Sequence, residues 1–318
     1  MPGPYGLVSD GVINCLIEYY IGLPEEASRF FVDLAMIRLA VQSKGRLNEE
    51  SLRLLKDSGI NVDDTKRKFI GKASDFPLEL LYLRDDDIPG VVAGGSADIG
   101  IVGYNEIAES GADVEVIRHL GFGKCRLSLA IPKNVDYTGL KWFEGRSIAT
   151  SYPSILASFL SGNGVSSNIR EIKGSVEIAP SAGIADSIFD IVSSGGTLVS
   201  NGLKEVESVL ESEAVLVCRK DLPSDKKPLL DSILFRFDAV KESWGKKYVL
   251  MNIPSARLPE AMALLPSMRS PTVMPLALEG WCSLHSVVDD SSLWSTVESL
   301  KKIGAEGILI LNVDKVID

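Results

Sequence analysis

The chain has 318 residues, 45% hydrophobic and 24% charged, with a formal net charge of −10. This is the make-up of a globular protein larger than one core of about 100–200 residues. The acidic balance argues against a general nucleic-acid binder, and no run reaches the about 18 apolar residues of a membrane span, so neither partner is expected.

Residues 1–35 look unlike the rest. They have apolar stretches but neither the basic n-region and cleavage site of a signal peptide nor the Arg and Ser richness of a transit peptide. They are expected to be an extension, or upstream codons ahead of a start at Met36.

From Met36, strand and helix alternate. Ile37–Val41 reads as a strand, followed by a polar turn over Gln42–Arg46. Asn48 reads as an N-cap, with Glu49 and Glu50 in the first turn of a helix that stops at Gly59. Leu78–Leu83 is a strand, Arg84–Asp87 a charged turn, Ile88–Ala93 a short helix with Pro89 at its start, and Ala97–Gly103 another strand. This rhythm predicts an α/β fold with parallel strands. Arg126–Ile131 crosses to a second lobe, whose first strand is Ser147–Thr150, followed by a helix over Ser154–Leu160. Glu177 is read inside a strand between apolar neighbours.

The stretch Ala185–Gly202 is the most informative. An apolar strand ends near Asp190; Ser193-Ser194-Gly195-Gly196-Thr197 follows, and apolar residues resume at Leu198 as a helix begins. Strand, glycine-rich loop and helix start suit a phosphate, because glycines let backbone N–H groups close on an anion. The alternative is a plain tight turn, and no Walker pattern is present. Ala97-Asp98-Ile99 and Ala185-Asp186-Ser187-Ile188 echo each other, as two similar lobes around a cleft would.

Ala214–Cys218 returns the chain to the first lobe, and Lys220–Lys227 is a loose surface loop. The tail reads strand (Tyr248–Ile253), helix (Leu258–Leu265), strands (Thr272–Leu276 and Cys282–Val288), helix (Leu293–Ile303) and strand (Gly307–Val313). That βαββαβ order fits a ferredoxin-like domain.

Lys44 and Arg46, on a loop at a strand's C-terminal end, suit phosphate oxygens, or are simply solvated charges. Asp85, Asp86 and Asp87 could hold Mg²⁺ through water, or form an acidic surface turn. Cys15, Cys125, Cys218 and Cys282 are far apart and read as reduced thiols of a cytoplasmic protein. His119 and His285 read as structural; with so few histidines a His-rich metal site is excluded.

Taken in order, Gln42…Lys44-Gly45-Arg46-Leu47, Arg84-Asp85-Asp86-Asp87-Ile88-Pro89-Gly90, Cys125-Arg126-Leu127-Ser128-Leu129-Ala130, Ile148–Pro153, Gly174-Ser175-Val176-Glu177 and the Asp190–Gly202 loop resemble the ATP phosphoribosyltransferase family over Met36–Asp318. The resemblance implies a two-lobed, type II periplasmic-binding-protein-like catalytic region with a ferredoxin-like, ACT-like regulatory tail, as in the family's long form. The implied domains are 36–128 plus 213–245 for the first lobe, 129–212 for the second, and 246–318 for regulation. It implies that N1 of ATP displaces pyrophosphate from C1′ of phosphoribosyl pyrophosphate (PRPP), with Mg²⁺ carried on the substrate phosphates. Asp190, Arg126 and Glu177 would serve catalysis. PRPP would be held by Asp190, Ser193, Ser194, Gly195, Gly196, Thr197 and Leu198. ATP and pyrophosphate would meet Gln42, Lys44, Gly45, Arg46, Asp87, Arg126, Tyr152 and Glu177. Inhibitory histidine would meet Asn252, Met268, Ser270, Thr272 and Ala305. AMP is a further candidate inhibitor, and a homo-oligomer from dimer to hexamer is implied. The rival readings are a two-lobed binding protein without catalysis and a PRPP-dependent transferase acting on another base.

Overall fold

The structure is a computed structural model, and it describes residues 36–62, 69–265 and 270–317. The expectations for residues 1–35, Cys15 and Met268 therefore lie outside the described residues.

The first strand, β1 (Ile37–Gln42), buries Ile37, Leu39, Ala40 and Val41 completely and leaves Arg38 in solvent. The chain then turns directly into α1 (Arg46–Asp57), which buries Leu54 and Leu55. This helix begins before the expected cap at Asn48. Gly45 adopts φ +96°, a left-handed conformation that glycine takes without strain, and its carbonyl accepts the N–H of Glu49 at 3.1 Å. Asn48 instead donates from Nδ2 to the carbonyl of Gln42 at 2.6 Å, tying helix to strand. Next come β2 (Ile70–Lys72), β3 (Leu78–Leu83), α2 (Ile88–Ala93, with Pro89 in its first turn), β4 (Ile99–Gly103), α3 (Tyr104–Ser110) and β5 (Val114–His119).

The second sheet is built from β6 (Cys125–Pro132), β7 (Ser147–Thr150), β8 (Asn168–Glu171), β9 (Ser187–Val192) and β10 (Leu203–Ser212), with α4 (Pro153–Gly162) and α5 (Gly196–Ser200) between strands. Its order is β10-β6-β9-β7-β8. Because β6 pairs with β9 and β10 along its length, the second sheet begins at Cys125 rather than at 129. Phe143 and Phe189, both fully buried, fill its core with Leu127, Leu129 and Leu156. β11 (Ala214–Arg219) returns to the first sheet, whose order becomes β2-β3-β1-β4-β11-β5. Two sheets of this kind within one unit make the two-lobed, periplasmic-binding-protein-like α/β arrangement.

The chain thus crosses between the sheets twice, and the crossings are bonded to each other. Leu120 N–H donates to the Ala214 carbonyl and Ala214 N–H donates to the Phe122 carbonyl, both at 2.9 Å. The echo between the two halves is also physical. Arg38 N–H donates to Asp98 Oδ2 at 2.8 Å while Asp98 N–H donates to the Arg38 carbonyl at 2.9 Å. Ser147 and Asp186 make the same exchange at 2.8 and 3.0 Å. In each half an aspartate entering one parallel strand locks the start of its neighbour.

Glu177 does not lie in a strand. Gly174 (φ +95°) and Ser175 (φ +51°) break the extended backbone, and Val176–Ile178 forms a 3-10 turn. The loop before Lys227 leads into α6 (Lys227–Ser243), a helix that the sequence reading passed over.

The chain divides into two compact units, the second comprising residues 57–59 and 232–318. Its sheet has β12 (Lys246–Pro254), β13 (Thr272–Pro275), β14 (Trp281–Asp289) and β15 (Glu306–Asn312), with α7 (Leu258–Leu264) and α8 (Leu293–Lys302) between them. The βαββαβ order is as expected, in an antiparallel sheet β13-β14-β12-β15 over Val249, Met251, Ile253, Leu284 and Leu300. No helix among the described residues is long and apolar enough to cross a membrane.

Candidate active site

A cavity of about 300 Å³ opens in the first unit. Gln42, Gly45, Arg46, Leu47 and Glu50 line it from the β1–α1 turn, and Asp85 from the turn after β3. Gly103, Asn105 and Glu106 come from the β4–α3 junction, Gly123, Lys124 and Cys125 from the first crossing, and Ile191 and Ser193 from the end of β9. Strand ends of a parallel sheet are where α/β folds place ligands, because loops there can vary without disturbing the core.

Two similar turns contribute to this cavity, the first through Gln42, Gly45 and Arg46 and the second through Ile191 and Ser193. Each is a strand, a polar loop and a helix, with a left-handed glycine at the junction: Gly45 (φ +96°) before α1 and Gly195 (φ +77°) before α5. The first N–H groups of each helix lack intrahelical acceptors and so remain available to an anion. In the second turn Ser193, Ser194 and Thr197 add hydroxyls, while Leu198 is buried in the core and offers only its backbone. Asp190 stands half-buried near the end of β9. Burial pushes its carboxyl up to about 6, aided by the charge of Glu177 and opposed by the Ile191 N–H, which donates to Oδ1 at 2.8 Å.

The structure brings together some of the expected residues and separates others. Gln42, Gly45, Arg46 and Ser193 share the cavity, and Lys44 is exposed on the same loop. Asp87 is exposed and is not part of the cavity lining; its neighbour Asp85 takes that place and accepts from Gln42 Nε2 at 3.2 Å. Asp86 is paired with Arg84 at 3.0 Å. Arg126 is turned to Glu205, which it meets through Nε and Nη2 at 2.6 and 2.5 Å, and its Nη1 reaches the Ser193 carbonyl at 3.4 Å. The arginine thereby braces the loop. Tyr152 is buried, donating its hydroxyl to Glu106 Oε1 at 2.9 Å and accepting from Asn105 Nδ2 at 3.3 Å.

Asn105 and Glu106 escaped the sequence reading. Burial pushes the Glu106 carboxyl up to about 7; Asp85, Asp86 and Glu109 add to this, and the Tyr152 hydroxyl opposes it. The available signal was positional: two polar residues directly after the apolar strand ending at Gly103. Among the described residues no group of three or more His, Cys, Asp or Glu side chains is placed to hold a metal. Cys125 is half-buried, and Cys218 and Cys282 are buried, all as free thiols. His119 pairs with Glu213 at 2.9 Å, and His285 lies between Tyr248 and Ser283 at 2.8 and 2.9 Å.

In the second unit, Asn252, Ser270, Thr272 and Ala305, four of the five residues expected to bind histidine, lie among the described residues. Asn252 pairs in register with Glu306, beside the buried Ala305. Ser270 and Thr272 are exposed at the start of β13, which β14 separates from β12.

Comparison with known proteins agrees with this architecture. The family described as ATP phosphoribosyltransferase matches residues 84–239, and the HisG C-terminal domain matches residues 244–315. An ATP phosphoribosyltransferase of Phocaeicola vulgatus is 59% identical over 282 residues, covering 89% of this chain and 100% of that protein. One of Bacteroides fragilis is 57% identical over the same coverage. Among solved structures, the ATP phosphoribosyl transferase (HisG:HisZ) complex from Thermotoga maritima aligns with a TM-score of 0.56 at 27% identity, over 64% of this chain and 96% of that one. With that identity along its length, the chain belongs to the ATP phosphoribosyltransferase family.

Proposed function

We propose that the cavity joins ATP to PRPP: N1 of the adenine attacks C1′ of the ribose, and pyrophosphate leaves. The observation that carries this reading is that two strand ends, each leading through a left-handed glycine into a helix, contribute residues to one cavity (Gln42, Gly45 and Arg46 from the first, Ile191 and Ser193 from the second), since the reaction must hold two polyanions at once. The Asp190–Thr197 turn is the natural cradle for the sugar phosphate, with Asp190 accepting from ribose hydroxyls and the loop N–H groups meeting the 5-phosphate. The Lys44–Arg46 turn, with Lys124, suits the triphosphate and the departing pyrophosphate. N1 already carries its lone pair, so no protein nucleophile is needed. Holding the reactants in line and stabilising charge on the leaving group supply the acceleration.

Mg²⁺ fits this site as an ion delivered by the phosphates. It needs only one or two carboxylates beside substrate oxygens, and Asp85 and Glu50 both line the cavity, the latter with a buried Oε2 that has no hydrogen-bond partner. Bound there it would neutralise phosphate charge. Arg126 supports the loop rather than the reacting atoms, and Glu177 acts on Asp190 through its charge.

Residues 246–318 would carry feedback inhibition by histidine, the end product of the biosynthesis this reaction opens. The exposed Leu309, Ile310 and Leu311 on edge strand β15 support assembly of several copies through the second unit. Incubation with Mg²⁺, ATP and PRPP, following pyrophosphate, tests the reading. Release with another base but not with ATP would overturn it.

A further inference from the structure

Glu106 is the most deeply buried carboxylate lining the cavity, at 8% exposure, and the reaction as written gives it no part. Its Oε1 is filled by Asn105 Nδ2 at 2.7 Å and by the Tyr152 hydroxyl at 2.9 Å. Asn105 is itself fixed by Ser212, whose Oγ accepts the Asn105 N–H at 3.0 Å and donates to Asn105 Oδ1 at 2.8 Å. The carboxylate is thus held in one orientation by groups that are held in turn. Among the described residues no donor reaches its other oxygen, Oε2.

A buried carboxylate beside a site for polyanions repels phosphate, so its partner must be an uncharged donor. Both substrates carry hydroxyls close to their phosphates. Only ATP carries a donor at the end remote from its phosphates, the exocyclic amino group next to N1. With Lys44 and Arg46 drawing the triphosphate to the β1–α1 turn, the amino group is the part of the nucleotide free to reach Glu106. We propose that Glu106 Oε2 accepts a hydrogen bond from the 6-amino group of the acceptor purine and so selects a 6-amino purine over one lacking that donor. This rests on the cavity being the acceptor site. The bond also assists the chemistry. As N1–C1′ forms and C1′–O breaks, its electron pair leaving with pyrophosphate, positive charge develops on the ring. A carboxylate on the amino group stabilises that charge, while the proton stays on N6.

The test compares kcat/KM for ATP and for purine riboside 5′-triphosphate, which keeps N1 but lacks the amino group, in the unaltered enzyme and in Glu106→Gln. Glutamine keeps an oxygen for Asn105 and Tyr152. The intrinsic difference in N1 reactivity is common to both proteins, so the change in the ratio isolates the contact. The preference for ATP should fall about ten- to a hundred-fold in the variant, the worth of a hydrogen bond to a charged group. An unchanged ratio overturns the proposal. If the variant does not fold, N6,N6-dimethyl-ATP given to the unaltered enzyme decides: use as good as that of ATP overturns the proposal, and a loss of about ten-fold or more upholds it. Arg46→Ala checks the underlying reading. An unchanged KM for ATP there overturns both. A raised KM with an unchanged purine ratio in Glu106→Gln overturns only the role of Glu106.

Discussion

Replacing Glu106 by glutamine should stabilise the protein at alkaline pH, against the usual trend for a buried residue with good hydrogen bonds. The carboxyl is pushed from its ordinary 4.5 up to about 7, first by burial and then by Asp85, Asp86 and Glu109. The folded chain therefore holds this proton more tightly than the unfolded chain. The contribution is fully present below the unfolded value and is lost as pH rises through the folded one. At about 1.4 kcal/mol per tenfold, the ionised carboxylate costs the folded state about 3 kcal/mol above neutrality. Glutamine keeps the oxygen that Asn105 and Tyr152 need and removes the charge. Asp190 is raised by burial and by Glu177, not by Glu106, and so cancels in the difference. Urea unfolding followed by tryptophan fluorescence should show the stability gain of Glu106→Gln growing by about 2 kcal/mol between about pH 5.5 and about pH 8.5. A gain that does not vary with pH, or a variant less stable than the parent at the alkaline end, would refute the reasoning.

Asp190→Ala should raise KM for PRPP or abolish turnover while leaving the unfolding transition in place; normal kinetics would remove Asp190 from the site. Because the carboxyl is pushed up to about 6, activity at limiting PRPP should decline as pH falls through that value, and a flat profile would contradict an ionised role. Gly195→Ala forces a side chain into φ +77° with no heavy atom closer than 4.0 Å, so strain alone should cost about 1–2 kcal/mol and loosen PRPP binding. Gly196→Ala, without positive φ, is the control; equal thermal stability of the two variants would show that the cap is unstrained. A chain ended at Gly245 should lose inhibition by histidine in a pyrophosphate-release assay, and inhibition that persists would put the effector elsewhere.

How much of this was written in the sequence depends on the range of the interaction. The β-branched strands around Val41 and Ile188, the proline-started helix at Ile88 and the βαββαβ tail follow from periodicity and local chemistry, and they were legible. So was the glycine turn after Asp190. The start of α1 was not, because Asn48 is a good cap by composition and only the left-handed backbone of Gly45 shows that the helix begins sooner. Nor was the placement of Glu177, since a short apolar window reads as a strand until Gly174 and Ser175 are seen to turn it. Arg126 looked open to phosphate because Glu205 is distant in sequence and meets it only across the β6–β10 pairing. Glu106 was invisible for the same reason. Its meaning comes from Tyr152 and Ser212, which meet Glu106 and Asn105 from other elements.

The bonded crossings between the two sheets have a mechanical consequence. With Leu120, Phe122 and Ala214 laced together, the two crossings lie side by side, so a swing of one half against the other would have its axis there. A swing about that axis would narrow the gap between the β1–α1 turn and the end of β9 with the least sideways displacement, as a backside displacement at carbon requires. Loosening that lacing would let the halves meet askew, with both substrates bound and little turnover.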